Sequence, residues 1–128
     1  MNDPSRADIE AALAREPNNL AIVARLALVC LRGGDVTAAA PLFERIVAQR
    51  ANDIGARINL AGCLMRMGRA SDALPHIAHA ANLVPTDATI RFNHAHILRA
   101  TGQRAEARGE VEEALRIDPR LPAALSLR

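Results

Sequence analysis

The 128-residue sequence contains no lysine, tryptophan or tyrosine, and only two phenylalanines (Phe43 and Phe92) and two cysteines (Cys30 and Cys63). Each shortage excludes something. Two cysteines cannot build the disulfide framework that holds small secreted domains together. Both lie in apolar, helix-like surroundings with no base beside them, so they read as reduced thiols buried as small hydrophobes. Two aromatics provide no row of stacking platforms for the bases of RNA. All sixteen basic residues are arginine, set against fourteen acids for a net charge of +2, too little to gather nucleic acid or anionic lipid through a long-range field. No apolar run reaches the roughly 18 to 20 residues of a bilayer crossing, because Arg25, Arg32 and Glu44 break the greasiest stretch. The N-terminus lacks a basic start followed by an apolar run, so no signal peptide is expected and the chain reads as soluble and cytoplasmic. No phosphate loop, nucleophile motif or cofactor fingerprint occurs, so neither a cofactor nor catalysis is expected.

What is present is a hydrophobic half, 50% of all residues, sufficient for one core, and a strict repeat. Gly34, Gly68 and Gly102 stand 34 residues apart, and so do Ala39, Ala73 and Ala107. Pro17, Pro85 and Pro119 share one register, with Ala51 in the remaining slot, and Leu26 aligns with Leu60. A fixed period decides the architecture before any motif does. The units run over 20–53, 54–87 and 88–121, after a leading helix at 3–16; residues 122–128 read as the start of a further helix.

Within a unit the apolar spacing is helical. In LAIVARLALVCLR, residues Ile22, Val23, Leu26, Val29 and Cys30 fall on one face. The glycine then stops this first helix, and Thr37 or Ser71 is expected to cap the second. Pro41 and Pro75 share a slot that allows the second helix to begin no earlier than about Val36 or Ala70. It ends before the next proline, which disfavours helical backbone at the residue preceding it. The leading helix takes Asp3 as its cap and Pro4 as its first residue. Each hairpin buries its stripe only by stacking on the next, with small residues at 27, 61, 95 and 39, 73, 107 letting helices approach closely. The fold class is therefore all-α, a solenoid of antiparallel helix hairpins.

The small, glycine and proline slots filled by Ala61, Gly68, Ala73, Ala80 and Pro85 resemble the tetratricopeptide repeat, and the resemblance covers residues 20–119. It implies a right-handed superhelix whose first helices line a concave, protein-binding surface. Val23, Arg57 and Arg91 stand where the family often has tryptophan; Cys30, Leu64 and Leu98 stand where it often has tyrosine.

The slots opposite each core stripe point into that groove. They are Ala24, Arg25, Leu28, Leu31 and Arg32; Ile58, Asn59, Gly62, Met65 and Arg66; and Thr89, Phe92, Asn93, His96 and Arg99. Asn59 and Asn93 occupy one slot in successive units and are similar to the asparagine ladder in the repeat region of O-linked N-acetylglucosamine transferases, with Arg25 in place of a third rung. The lysine and asparagine by which co-chaperones of the family grip a C-terminal carboxylate are replaced by Ala24 and Leu28, so that specificity is not implied. Arg25, Arg66 and Arg99 remain able to hold an acidic side chain.

His76 and His79 lie three residues apart on a second helix, yet no third ligand completes a metal site. His94 fills the core slot of Leu26 and Leu60, where a hydrogen-bonded histidine is expected. The expected function is a scaffold that binds a protein or peptide, with no membrane or nucleic-acid partner. The alternatives are the recruiting arm of a longer enzyme, a transferase or hydroxylase, and a self-assembly module joining copies through the uncapped C-terminal end.

Overall fold

The computed structural model describes residues 3–121, which form seven helices: α1 (Arg6–Arg15), α2 (Leu20–Arg32), α3 (Val36–Gln49), α4 (Ile54–Arg66), α5 (Ala70–Leu83), α6 (Ala88–Ala100) and α7 (Arg104–Ile117). The expected helical start at 122–128 lies outside the described residues. Helices α2, α4 and α6 start 34 residues apart, as do α3, α5 and α7. Packing runs between consecutive helices along the chain. This is the all-α solenoid of hairpins that the period requires, with α1 occupying the place of a preceding unit's second helix.

The turn inside each hairpin is built the same way three times. After α2, Gly34 adopts φ 79°; Gly68 (φ 75°) and Gly102 (φ 83°) do the same after α4 and α6. At that left-handed residue the chain closes a paired bond set: the Asp35 N–H donates to the Cys30 carbonyl at 2.9 Å and the Gly34 N–H to the Leu31 carbonyl at 3.0 Å. Arg69 to Leu64 and Gln103 to Leu98 repeat the longer bond at 2.8 and 2.9 Å. These bonds satisfy helix-end carbonyls, and only glycine takes the required conformation without strain. The second helices stop two residues before the proline slot. Helix α3 stops there as well, at Gln49, although Ala51 holds its slot, so proline reinforces a stop that packing already sets.

Two expectations about helix starts are corrected. Helix α1 begins at Arg6 with Ser5 as its cap, rather than at Pro4 with Asp3 as its cap, because Ser5 and Asp8 form a reciprocal capping box: the Asp8 N–H donates to the Ser5 hydroxyl and the Ser5 N–H to the Asp8 carboxylate. Two orphan donors are satisfied at once, which Asp3 alone cannot do. Neither Thr37 nor Ser71 caps its helix, since each already lies inside the first turn. Asp35 caps α3 by accepting from the Ala38 N–H at 3.2 Å, and the Thr37 hydroxyl donates to the same carboxylate. In α5 and α7 the Asp35 slot holds Arg69 and Gln103, and no side chain caps the helix. The Arg6 guanidinium, 2.8 Å from Asp35, pulls the Asp35 carboxyl below its ordinary range and ties α1 to the head of α3.

The core follows the repeat. Ala27, Ala61, Ala95, Ala39, Ala73 and Ala107 are all at most 1% exposed, and side chains this small let packed helices approach closely. Between them sit Leu60, Leu64, Ile77 and Leu98. One cluster runs from α1 to α6; a second joins Ala95 and Leu98 of α6 to Ala107 and Val111 of α7.

Candidate functional site

Burying Val23, Leu26, Ala27 and Cys30 of α2, with Leu60, Ala61 and Leu64 of α4 and Ala95 and Leu98 of α6 in matching slots, turns the opposite slots to one common face. Between the first helices lies a hollow of about 280 Å³ lined by Leu31, Ile58, Asn59, Gly62, Met65, Asn93 and His96, with Ile77 and Ile97 also in its wall. The expected groove residues Ile58, Asn59, Met65, Asn93 and His96 are thus brought together. Asn59 and Asn93 are half-buried, and among the described residues neither side-chain amide hydrogen-bonds to the chain. Each therefore has two donors and an acceptor directed at solvent. Ile77 and Ile97 are core residues that the spacing argument did not assign to the groove. They reach the hollow where Gly62 has no side chain, and that mid-helix glycine was the available signal.

Other expected groove residues lie elsewhere. Arg25 and Leu28 line a separate hollow of about 300 Å³ with Asp3, Pro4, Ile9, Val29 and Arg32, because the leading segment packs across that end of α2. They do not join Asn59, and Leu28 is 37% exposed. Phe92 turns toward the α6–α7 cluster beside Leu115 and Leu121 and is not part of the wall of the 280 Å³ hollow; a large ring gains more by covering Ala95 and Val111 than by facing water. Arg66 and Arg99 are exposed in the last turns of α4 and α6, outside the hollow's wall. A cation there is favoured by the helix dipole.

The two arginines in the tryptophan slot have a structural role. The Arg57 Nε–H donates to the Ala51 carbonyl at 2.9 Å and its Nη1 to His76 Nδ1 at 3.0 Å. One repeat later the Arg91 Nε–H donates to the Pro85 carbonyl at 2.7 Å and its Nη1 to both Glu110 oxygens at 3.0 and 3.1 Å. The His94 Nδ1–H donates to Glu110 at 3.2 Å, so His94 is the hydrogen-bonded histidine expected of its slot, half-buried at the edge of the core. Each clamp fixes the turn before its unit to the unit's second helix; in the first unit the two corresponding slots hold the apolar Val23 and Leu42, both within or against the main core cluster.

Burial, and then the Arg57 cation, push His76 below its ordinary pKa of 6.5. The folded chain thus favours the neutral ring. Below pH 6.5 the unfolded chain takes up a proton that the folded chain refuses, so stability is intact above 6.5 and declines as pH falls from there toward the folded value. His76→Glu, copying Glu110, should remove that decline and add about 0.5 to 1 kcal/mol near neutrality. Denaturant titrations at a series of pH values check both.

Metal and thiol chemistry gain no support. Among the described residues no group of three or more His, Cys, Asp or Glu side chains could hold a metal ion. His76 and His79 diverge, one toward Arg57 and the other donating to Asn52 at 2.9 Å. Burial pushes both cysteine thiols up, away from the reactive thiolate. No helix among the described residues is long and apolar enough to cross a membrane.

Two family models, both described as tetratricopeptide repeat, match residues 31–81 and 2–54. The chain is 31% identical over 120 residues to the cellulose synthase 1 operon protein C of Komagataeibacter xylinus, covering 91% of this chain and 9% of that protein. It is 31% identical over 110 residues to the cellulose synthase operon protein C of Komagataeibacter sucrofermentans, covering 84% of this chain and 8% of that one. The chain thus spans less than a tenth of the length of these curated relatives. Among solved structures it superposes on YrrB, described as a protein with an unusual peptide-binding site, with TM-score 0.87 and 24% identity over 95% of this chain and 63% of that one. A crystal structure of MamA gives TM-score 0.86 and 17% identity over 93% of this chain and 70% of that one. At these identities the likeness is one of fold.

Proposed function

Because the chain belongs to the tetratricopeptide repeat family, we propose that it is a protein-interaction scaffold, itself without catalysis, that holds an extended segment of a partner in the hollow between its first helices. The observation that carries this reading is the meeting of Asn59 and Asn93, one repeat apart, on one hollow with their amides unengaged. Neighbouring helices stand about 10 Å apart and an extended peptide advances about 3.3 Å per residue, so one asparagine meets the partner's backbone at every third residue. YrrB, which shares the fold, is described as having an unusual peptide-binding site, which supports a peptide as the kind of partner this fold takes. Three units accommodate about six or seven extended residues, and ordering costs leave micromolar affinity.

Asn59→Ala combined with Asn93→Ala should weaken partner binding about tenfold, since two backbone-directed amides are lost, while thermal unfolding stays nearly unchanged. Calorimetric titration beside a melting curve checks this, and an unaltered dissociation constant defeats the ladder.

The length of the relatives favours a second reading, in which these repeats are the recruiting arm of a longer protein, an enzyme included. A natural reading frame continuing past Arg128 into a catalytic domain would carry it.

A further inference from the structure

The near-neutral composition conceals a division of charge. Helices α2, α4 and α6 carry six arginines and no aspartate or glutamate; all fourteen acids lie before or on α1, on the second helices, or in caps and turns. Arg57 and Arg91 are engaged in the clamps. Arg66 and Arg99, exposed in the last turns of α4 and α6, make no hydrogen bond or ion pair among the described residues. They stand about two turns beyond Asn59 and Asn93, about 10 Å along each helix, a gap that an arginine and a glutamate side chain close together. The face is thus acid-free and cationic along the edge at the helix C-termini.

Gly62 gives an independent indication. It lies in the middle of α4, where glycine is the poorest helix former after proline, and it is not among the glycines with positive φ. A Cβ at this position would meet no atom within 4 Å. The fold therefore has no need of glycine here. What the missing side chain preserves is the open hollow above Ile77 and Ile97, and glycine admits the close approach of another main chain.

Resting on the groove reading above, we propose that the hollow selects an acidic extended peptide. Its main chain crosses α4 over Gly62, one apolar side chain seats against Ile77 and Ile97, and carboxylates along one edge meet Arg66 and Arg99. Those pairs are bidentate where geometry permits. A polyanion without an apolar side chain, such as single-stranded RNA, fits less well, because the hollow's wall is mainly aliphatic and its single imidazole, His96, gives no row of rings on which successive bases can stack.

The test is selection of random decapeptides with blocked ends on the 128-residue chain, followed by titration of the enriched peptide and of a single-stranded RNA decamer. Two or more acids around one Leu, Ile, Val or Met are expected in the enriched sequences, and no saturable RNA binding. Arg66→Gln combined with Arg99→Gln should weaken the enriched peptide about fivefold, as should salt raised from about 50 to about 500 mM. Gly62→Leu should lose binding at least about tenfold while melting no lower than the native chain. Gly109→Leu, at an equally open glycine on α7, should bind as the native chain does. Neutral or basic enriched sequences, saturable RNA binding, or full binding by Gly62→Leu overturn the proposal; the Asn59 and Asn93 dependence then still stands for the groove. Peptide binding that survives loss of both asparagines overturns the groove reading itself.

Discussion

Leu60→Ala is expected to lower the free energy of unfolding by about 2 to 5 kcal/mol. Leu60 is wholly buried in α4, the first helix of the central unit, within the cluster that runs from α1 to α6. Truncation removes its transfer energy and leaves a cavity that close-packed alanine crossings cannot collapse to fill. A domain of this kind has a net stability of only about 5 to 15 kcal/mol, and in a stacked array each unit is held by its neighbours. Loss at the centre therefore weakens both outer hairpins together. Leu28→Ala, at a 37% exposed position on the preceding first helix, should change stability by no more than about 0.5 kcal/mol. Guanidinium titrations followed by circular dichroism separate the two; equal effects would mean that the stripe assignment is wrong.

Pro41→Ala and Pro75→Ala are expected to stabilise the chain by about 1 to 3 kcal/mol each. Both prolines lie inside a helix, six residues into α3 and α5. Neither can donate to the carbonyl four residues back, Thr37 in one case and Ser71 in the other. Both rings are exposed, as are Thr37 and Ser71, so the lost bond is partly replaced by water and the gain stays at or below the full interior cost of proline. The third unit already carries Gly109 in this slot, which shows that the stack does not need the ring. A fall in melting temperature in either variant would mean that the ring packs in a way its exposure does not indicate.

The period and the glycine turns were legible because they rest on strong local physics. Gly34, Gly68 and Gly102 each take a backbone conformation that other residues avoid, and the buried alanines recur where helices touch. Caps were less legible. Asp35 and Thr37 are both competent to cap α3, and which one serves depends on where the turn ends within one or two residues; Ser71 falls inside α5, whose start no side chain caps. At the leading helix the Ser5 and Asp8 spacing carried the signal, and Asp3 with Pro4 obscured it. In the groove, spacing placed Asn59, Asn93, Ile58, Met65 and His96 on one face but could not show which way a long side chain leans, and Phe92 leans onto α7. Nor could it show that the leading segment takes Arg25 and Leu28 into a different hollow. The clamps were hidden for another reason: Arg57 with His76, and Arg91 with Glu110, become a pattern only when two repeats are compared across both helices.

The most direct measurement is NMR of the 128-residue chain during titration with a bound peptide, following the side-chain amides of Asn59 and Asn93. Both amide pairs are expected to shift together, with the Gly62, Met65 and His96 backbone signals, while α7 and the outer face of α3 stay still. Shifts confined to the second helices, with both asparagine amides unmoved at saturation, would contradict a groove lined by the first helices.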